Sequence, residues 1–198
     1  MTPWFTSDLH LGHSSILEFT DRRKDYIYVD DGSEIEVHDE WVISSINSHV
    51  KPEDTLYILG DVSFHKKWKT GSLVESIQGK KHLILGNHDE KLSDFYRTSG
   101  LFLSVNTRLE IKYNHKRIIL DHYPLAEWSA GHHGSYHCHG HTHGNFDYAK
   151  ANLQDKRILD VGFDNAYKLF GVHRPFSFED VEKLFEDRVS IQHHGKSD

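Results

Sequence analysis

The stretch KHLILGNHD (81–89) is a short apolar run that stops at a glycine and continues into three polar residues, Asn87, His88 and Asp89. Other runs along the chain follow the same pattern, in which β-rich residues lead directly into Gly, Asp or His. They are WFTSDLH (4–10), TLYILGD (55–61), KRIILDH (116–122), SYHCHGHTH (135–143) and RILDVGFD (157–164). Runs of this length bounded by turn residues predict buried β-strands.

Helical patterns lie between and after these runs. Residues 38–50 place their apolar side chains on one stripe, and residues 177–185 begin with a Ser-x-x-Asp capping box formed by Ser177 and Asp180. Strands that alternate with helices early, followed by strands later, predict an α/β fold of sheets flanked by helices. Ligands in such folds bind beyond the carboxyl ends of the strands, so we expect the polar residues that end the runs to share one site.

Length and composition limit the class of protein. A chain of 198 residues fits a single domain spanning 1–198, and 37% hydrophobic with 27% charged residues is typical of a soluble globular protein. No run of about 18 apolar residues and no secretory signal is visible. One cysteine permits no internal disulfide and favours the cytoplasm. A net charge of -7 argues against a partner that is extended nucleic acid.

Histidine is the unusual component, with 18 residues where average usage gives roughly a quarter of that number. Imidazole is the commonest metal ligand in proteins, so this excess favours a metal site. The stretch CHGHTHG (138–144) alone is open to three interpretations: a surface cluster, a metal store, or half of a catalytic site. Asp8 and His10 are two residues apart, and we expect them on the same side if their strand continues.

The polar residues that end these apolar runs, taken in chain order, read D-x-H, G-D, G-N-H-D, H and G-H-x-H. This ordered series resembles the calcineurin-like metallophosphoesterase superfamily, and in particular its short bacterial and phage branch. FTSDLHLGHSSIL, VKPEDTLYILGDVSF, HYPLAEWSAGHHGSYHCHGHTHG and ILDVGFDN carry the resemblance, which covers almost the whole chain. It implies a four-layer αββα sandwich of two mixed β-sheets flanked by helices, with a metal site at the carboxyl ends of the strands.

The resemblance also implies a dinuclear centre that holds two divalent metal ions, which could be Mn, Fe, Ni, Co or Zn. The expected ligands are Asp8, His10 and His143 for the first metal, Asn87, His122 and His141 for the second, and Asp61 as a bridge between them. By the same resemblance, His88 would be the general acid near the leaving-group oxygen, and Asp89 would hold His88 in place.

The function implied is hydrolysis of a small phosphodiester or phosphomonoester, a class that includes nucleotide-like substrates, by attack of a metal-bound hydroxide. The partner is then a small phosphorylated substrate, with no membrane and no extended nucleic acid. Two alternatives stay open: a non-catalytic protein-binding scaffold with the same fold, and a nuclease.

Several residues near these motifs are candidates for substrate contacts. His13 follows the first motif, and Arg23 lies beside Arg22 in the charged stretch DRRKD (21–25), which favours solvated side chains for both arginines. We predict that His13 and Arg23 bind substrate. Asp164, which ends the last run, is a candidate for a contact to the site or the substrate.

Two further features concern the loop after Asp61. Many relatives in the superfamily carry Asp or Asn three residues after the bridging Asp, where this chain has Phe64. The next residues, HKKWK (65–69), combine basic side chains with an aromatic one. They could contact a nucleotide, although a solvated loop is the favoured interpretation.

Overall fold

Two mixed β-sheets form the centre of the fold in the computed structural model, which describes residues 2–24 and 34–190. The strands are β1 (Pro3–Thr6), β2 (Thr55–Ile58), β3 (Lys80–Ile84), β4 (Ser104–Asn106), β5 (Arg108–Tyr113), β6 (Lys116–Asp121), β7 (Tyr136–His139), β8 (Ile158–Asp160) and β9 (Phe176–Ser177). The α-helices are α1 (Ile16–Phe19), α2 (Glu34–Asn47), α3 (Lys67–Ser76), α4 (Ser93–Thr98), α5 (Phe163–Phe170) and α6 (Phe178–Leu184).

The strand order places the ends of the parallel strands side by side. The first sheet has the order β4-β3-β2-β1-β9, in which only β9 runs antiparallel to its neighbour. The second has the order β5-β6-β7-β8, with β6, β7 and β8 parallel. In each sheet the carboxyl ends of the parallel strands therefore meet at one edge, where polar loops can converge.

Alternation along the strands builds the core between the two sheets. In β2, Leu56 and Ile58 pack toward the helical side, whereas Tyr57 faces the second sheet. In β6, Ile118 and Leu120 face the first sheet. This period of two is what a strand requires when both of its faces are covered.

Each sheet is also covered on its outer face. The first sheet packs against an apolar cluster that includes Val42 and Ile46 of α2 and Leu73 and Val74 of α3. The second packs through Ile119 and Ile158 against a cluster with Trp128 and Leu153, which come from the segment between β6 and β8. Among the described residues, no helix has the length and apolar character needed to cross a membrane.

The predicted fold class, α/β with two mixed sheets and flanking helices, is confirmed. All six predicted runs contain strands, and the predicted capping box of α6 is present: Asp180 N donates to Ser177 Oγ at 3.1 Å and Ser177 N donates to the Asp180 carboxylate at 2.8 Å. Asp8 and His10 were expected on the same side only if their strand continued, and this condition is not met, because β1 ends at Thr6.

Candidate metal centre

The loops after the strands hold their polar side chains through an uncommon backbone conformation. Asp8, His10, Asp61, His141 and His143 have φ values of 59°, 52°, 56°, 71° and 48°. This left-handed region is sparsely used by residues other than glycine, and each such residue costs on the order of 1–3 kcal/mol unless its surroundings enforce it. Five of the seven predicted ligands share this conformation, and they are five of the nine described non-glycine residues that have it, so it is concentrated in these loops.

Backbone hydrogen bonds between neighbouring loops enforce it. Asp8 N donates to Gly60 O at 2.9 Å, and His10 N donates to Asp61 O at 3.0 Å. The first and second predicted motifs are thus tied together before any side chain is considered. This loop pairing, and not strand alternation, places Asp8 and His10 near each other.

Asp8, His10 and His143 form the first cluster of possible metal ligands. Asp8 Oδ1 lies 3.9 Å from His10 Nε2 and 3.9 Å from His143 Nε2. Two atoms bound to one ion at about 2.0–2.2 Å can lie no more than about 4.4 Å apart, so both distances fit a shared cation.

Two atoms of this cluster are buried without a hydrogen-bond partner among the described residues: Asp8 Oδ1 and His10 Nε2. A buried polar atom left unpaired costs about 1–3 kcal/mol, and such atoms are rare in native proteins. The other carboxylate oxygen, Asp8 Oδ2, accepts a hydrogen bond from His141 N at 2.9 Å. The orphaned pair therefore fits a cation that would satisfy both atoms at once.

The ionisation of the two groups agrees with this fit. Burial raises the pKa of Asp8 to about 7, although the histidines around it act in the opposite direction. Burial lowers the pKa of His10, which keeps its imidazole neutral, the form that binds metals. A cation beside Asp8 would favour its charged form and offset the cost of burying it.

The second cluster contains Asp61, His122 and His141. Asn87 joins it, since its Oδ1 lies 2.9 Å from His122 Nε2. The rings of His122 and His141 are in edge contact, with centroids 5.1 Å apart. The structure thus brings an amide oxygen, a carboxylate and two imidazoles together, a mixed N/O set that suits a divalent transition metal.

Asp61 lies between the two clusters. Its Oδ2 is 3.7 Å from His10 Nε2 and 3.6 Å from His122 Nε2, one ligand candidate from each cluster. Its Oδ1 accepts a hydrogen bond from His88 N at 2.9 Å, which fixes the orientation of the carboxylate. This position is the one that a bridging carboxylate requires.

The outer nitrogen of three histidines is held, which orients the ring toward the clusters. His122 Nδ1 donates to Leu59 O at 2.6 Å, and His143 Nδ1 donates to Asp164 Oδ2 at 2.6 Å. His10 Nδ1 lies 2.9 Å from His13 Nδ1. Nε2 of His10 and of His143 is left for a ligand, and Nε2 of His122 faces Asn87 Oδ1 within the second cluster. Such partners on the outer nitrogen typically fix the tautomer and raise ligand basicity.

Arg22 holds the loop that carries Asp8 through buried hydrogen bonds, a role that the sequence did not indicate. It is fully buried, donates to both oxygens of Asp164 at 2.8 and 2.9 Å, and donates to Asp8 O at 2.6 Å and Leu9 O at 2.8 Å. The expectation of a solvated side chain is wrong for Arg22, whose guanidinium has buried partners in Asp164 and the carbonyls of Asp8 and Leu9. Burial raises the pKa of Asp164, but Arg22 and His143 outweigh this and hold it well below its usual range.

Asp89 supports the centre in a way that differs from the predicted contact with His88. It is fully buried, and its carboxylate accepts hydrogen bonds from Gly86 N at 2.9 Å, Asp61 N at 2.8 Å and Val62 N at 3.0 Å. Asp89 therefore fixes the backbone that carries Asp61. Its partners are backbone amides, and the structure gives it a positioning role rather than a hydrogen bond to the His88 ring.

His88 lies at the open side of the centre. Its side chain is 47% exposed, and Nε2 is 4.0 Å from Asp61 Oδ2. Within the described part of the chain it belongs to neither ligand cluster. This position suits a group that meets a substrate rather than one that holds a metal.

The predicted substrate contacts have different surroundings. His13 stacks on His10, with ring centroids 5.1 Å apart. Arg23 forms a pair of hydrogen bonds with Glu34, at 2.7 and 2.8 Å. The role of either residue in binding substrate stays a prediction.

A further residue that sequence reasoning left aside is Asp160, which shapes the G-H-x-H loop. Its Oδ2 accepts hydrogen bonds from Thr142 Oγ1 at 2.6 Å and Gly144 N at 2.8 Å, and its Oδ1 accepts from Gly162 N at 2.7 Å. A carboxylate at a strand end next to the predicted site was the available signal.

Glycines make room for the ligands. A Cβ on Gly86 would lie 2.3 Å from Asp61 Oδ1, and a Cβ on Gly60 would lie 2.5 Å from His122 Nδ1. Side chains at these two positions would displace the bridging carboxylate and one imidazole. The glycines of the G-D and G-N-H-D motifs are therefore required by the close approach of the loops.

Comparisons with known proteins place this geometry in context. No protein-family model matches the chain. The Gene 66 protein of Mycobacterium phage L5 is 30% identical, with 81% of this chain and 86% of that protein aligned. Among solved structures, AQ665 of Aquifex aeolicus, a protein of unknown function, has the same fold, with a TM-score of 0.66 at 22% identity over 92% of this chain and 98% of that one. YfcE, a phosphoesterase from E. coli, gives a TM-score of 0.44 at 17% identity over 72% of this chain and 70% of its own.

Proposed function

We propose that this chain, which belongs to the same family as the Gene 66 protein of Mycobacterium phage L5, hydrolyses a small phosphodiester or phosphomonoester with two divalent metal ions bound. The observation that carries the proposal is the pair of ligand clusters joined by Asp61, together with the orphaned atoms Asp8 Oδ1 and His10 Nε2. A structural site would need one complete set of ligands, whereas two adjacent sets that share a carboxylate suit phosphoryl transfer.

We assign the first ion to Asp8, His10 and His143, the second to Asn87, His122 and His141, and a bridging position to Asp61. When bound, two such ions polarise phosphoryl oxygens and lower the pKa of water. Their charge would outweigh the two carboxylates and attract a phosphate to a protein whose net charge is -7. The ligand set suits Mn, Fe, Co, Ni or Zn.

The chain's own residues have separate roles in the reaction. His88, exposed beside Asp61, donates a proton to the leaving oxygen as the phosphorus–oxygen bond breaks, an effect worth about 10²–10⁴ in rate. Asp89 and Arg22 hold the loops that carry Asp61 and Asp8. Such positioning matters because a displacement of about 1 Å at the reacting atoms can cost about 100-fold in rate.

The partner we propose is a small phosphorylated molecule and not an extended nucleic acid, because the chain as a whole is acidic. We also place the protein in the cytoplasm, since Cys138 is free and buried in the described structure. Both are proposals that follow from composition.

The experiment is hydrolysis of bis-p-nitrophenyl phosphate and p-nitrophenyl phosphate by metal-free protein supplied with Mn²⁺, Ni²⁺ or Zn²⁺. We expect turnover of at least one ester with at least one metal, and none in the presence of a chelator. Protein that binds two ions but hydrolyses neither ester would overturn the enzyme proposal and leave the scaffold alternative.

A further inference from the structure

A cavity of about 480 Å³ opens beside His88 and carries features that the proposed chemistry does not use. Its lining includes Phe64, Lys66, Lys67, Asn87, His88 and Lys91. Since Asn87 and His88 border the metal centre, the cavity begins where the centre ends. If His88 protonates the leaving oxygen, the part of the substrate attached to that oxygen lies in this cavity.

The cavity is rich in unpaired positive charge. Lys66, Lys67 and Lys91 are exposed, and within the described residues none of them forms an ion pair, whereas neighbouring Lys69 lies 3.9 Å from Glu36. The one acidic residue in the lining is Glu90. Three free lysines around one cavity in a chain with a net charge of -7 are suited to an anionic ligand.

The start of helix α3 adds to this field. The helix begins at Lys67, and its N-cap residue, Lys66, makes no side-chain cap hydrogen bond. Among the described residues, the first N–H groups of this ten-residue helix therefore have no N-cap side chain as acceptor, and they lie at the rim of the same cavity. Free N–H groups at a helix start favour a phosphate, in addition to the lysines.

Phe64 supplies an aromatic surface between the metal centre and the lysines. It is 41% exposed although it is a large apolar side chain. Its ring stacks on His13, with centroids 4.1 Å apart and an interplanar angle of 14°, and lies 4.9 Å from the His88 ring. Phe64 is thus held by its neighbours while part of its side chain stays exposed, and an exposed aromatic side chain is a surface on which a nucleobase can stack.

We propose that this cavity binds the leaving group of a dinucleotide, with the base on Phe64 and the terminal 5′ phosphate among Lys66, Lys67 and Lys91. The inference rests on the proposed function and specifies its substrate class. In the reaction, a water oxygen bonds to the internal phosphorus, the bond from phosphorus to the 3′ oxygen breaks, and that oxygen takes a proton from His88. A 5′-phosphorylated dinucleotide and one water give two nucleoside 5′-monophosphates.

Binding to a slow variant tests the inference without relying on turnover. The protein is His88→Asn loaded with Mn²⁺, and the ligands are the thymidine dinucleotides pTpT and TpT, which differ only in the 5′ phosphate. By isothermal titration calorimetry we expect pTpT to bind about tenfold more tightly than TpT, because its 5′ phosphate can form three exposed ion pairs with the lysines of the cavity. Adding Lys66→Ala and Lys67→Ala should reduce this preference to about threefold or less.

The matched control is the double variant Lys112→Ala and Lys150→Ala, which removes two exposed lysines that do not line the cavity. This variant should keep the preference for pTpT over TpT. Equal affinity for pTpT and TpT, or a preference that survives Lys66→Ala and Lys67→Ala, would overturn the phosphate site. Hydrolysis of bis-p-nitrophenyl phosphate by the wild-type protein is measured separately, so this failure is distinguishable from failure of the proposed function.

The base contact is tested on the ligand, which avoids any change to the packing around His13. A pTpT analogue whose 5′ nucleotide has no base should bind about tenfold more weakly than pTpT, because stacking on an aromatic side chain contributes about 1–3 kcal/mol per base. Equal binding of the two would contradict the stacking role of Phe64.

Discussion

Replacement of Arg22 by methionine should destabilise the protein far more than the same change one residue later. The Arg22 side chain is fully buried and donates five hydrogen bonds: two to Asp164, one each to the carbonyls of Asp8 and Leu9, and one to His38 Nε2. Arg22→Met keeps most of the side-chain volume but leaves the Asp164 carboxylate buried without its main partner. Removal of one member of a buried ion pair costs about 3–5 kcal/mol.

The assay is urea denaturation in the presence of a chelator, so that bound metal does not contribute to stability. In thermal unfolding of a chain of this size, the same loss of about 3–5 kcal/mol in the free energy of unfolding would lower the Tm by roughly 6–20 °C. Arg23→Met is the control, because the Arg23 side chain is 51% exposed and its pair with Glu34 should contribute less than about 1 kcal/mol. Free energies of unfolding that agree within about 0.5 kcal/mol for the two variants would refute the reasoning.

Three further predictions concern other parts of the chain. Gly86→Ala places a Cβ 2.3 Å from Asp61 Oδ1 and should lower the free energy of unfolding by about 1–3 kcal/mol in urea denaturation. Gly71→Ala, with its nearest neighbour at 3.3 Å, should change it by less than about 1 kcal/mol, and equal effects would contradict the close-approach argument. His88→Ala should retain two metal ions by elemental analysis yet lose about 10²–10⁴ in turnover, and loss of metal would show that His88 is a ligand. Burial raises the pKa of Asp180, but hydrogen bonds from Arg174 and Ser177 outweigh it and hold the pKa below its usual range. The stabilisation from this carboxylate is therefore present above the ordinary pKa of an aspartate, about 3.9, and is lost as the pH falls through the lowered pKa, so wild type and Asp180→Asn should converge in free energy of unfolding in acid. A constant difference between them across this range would be inconsistent with the ion pair.

The polar residues that end the predicted strands were expected to share one site, whereas their division into two sets of metal ligands was implied by the family resemblance. Asp8, Asp61, Asn87 and His122 each follow a predicted strand, and parallel strands bring such ends to one edge. Their local conformation could not be predicted, because the left-handed backbone of Asp8 and Asp61 is enforced by hydrogen bonds between loops distant in sequence. Periodicity describes strands and helices, not the loops that leave them.

Arg22 and Asp89 show the limit of reading charged residues one at a time. A charged stretch predicts solvation, and an Asp beside a His predicts a contact between them. Arg22 is instead buried against Asp164, 142 residues away, and Asp89 binds backbone amides of Asp61 and Val62. Partners at such separation leave no local signal.

The β5–β6 hairpin, by contrast, had a signal that was overlooked. Alternating residues 108–113 precede a tight turn at Asn114 and His115, both of which have positive φ values, 46° and 61°. A two-residue turn of this kind, with Asn first, is typical of hairpins. The strand was recoverable from sequence, whereas the buried contacts of Arg22 were not.

The central claim is that Asp61 joins two metal ions in one hydrolytic centre. The most direct test is titration of metal-free protein with Mn²⁺, with bound metal and hydrolysis of bis-p-nitrophenyl phosphate measured in the same samples. We expect two ions per chain in the wild type, hydrolysis that rises as the second ion binds, and fewer than two ions in Asp61→Ala. Saturation at one ion per chain, or two tightly held ions in Asp61→Ala, would contradict the claim.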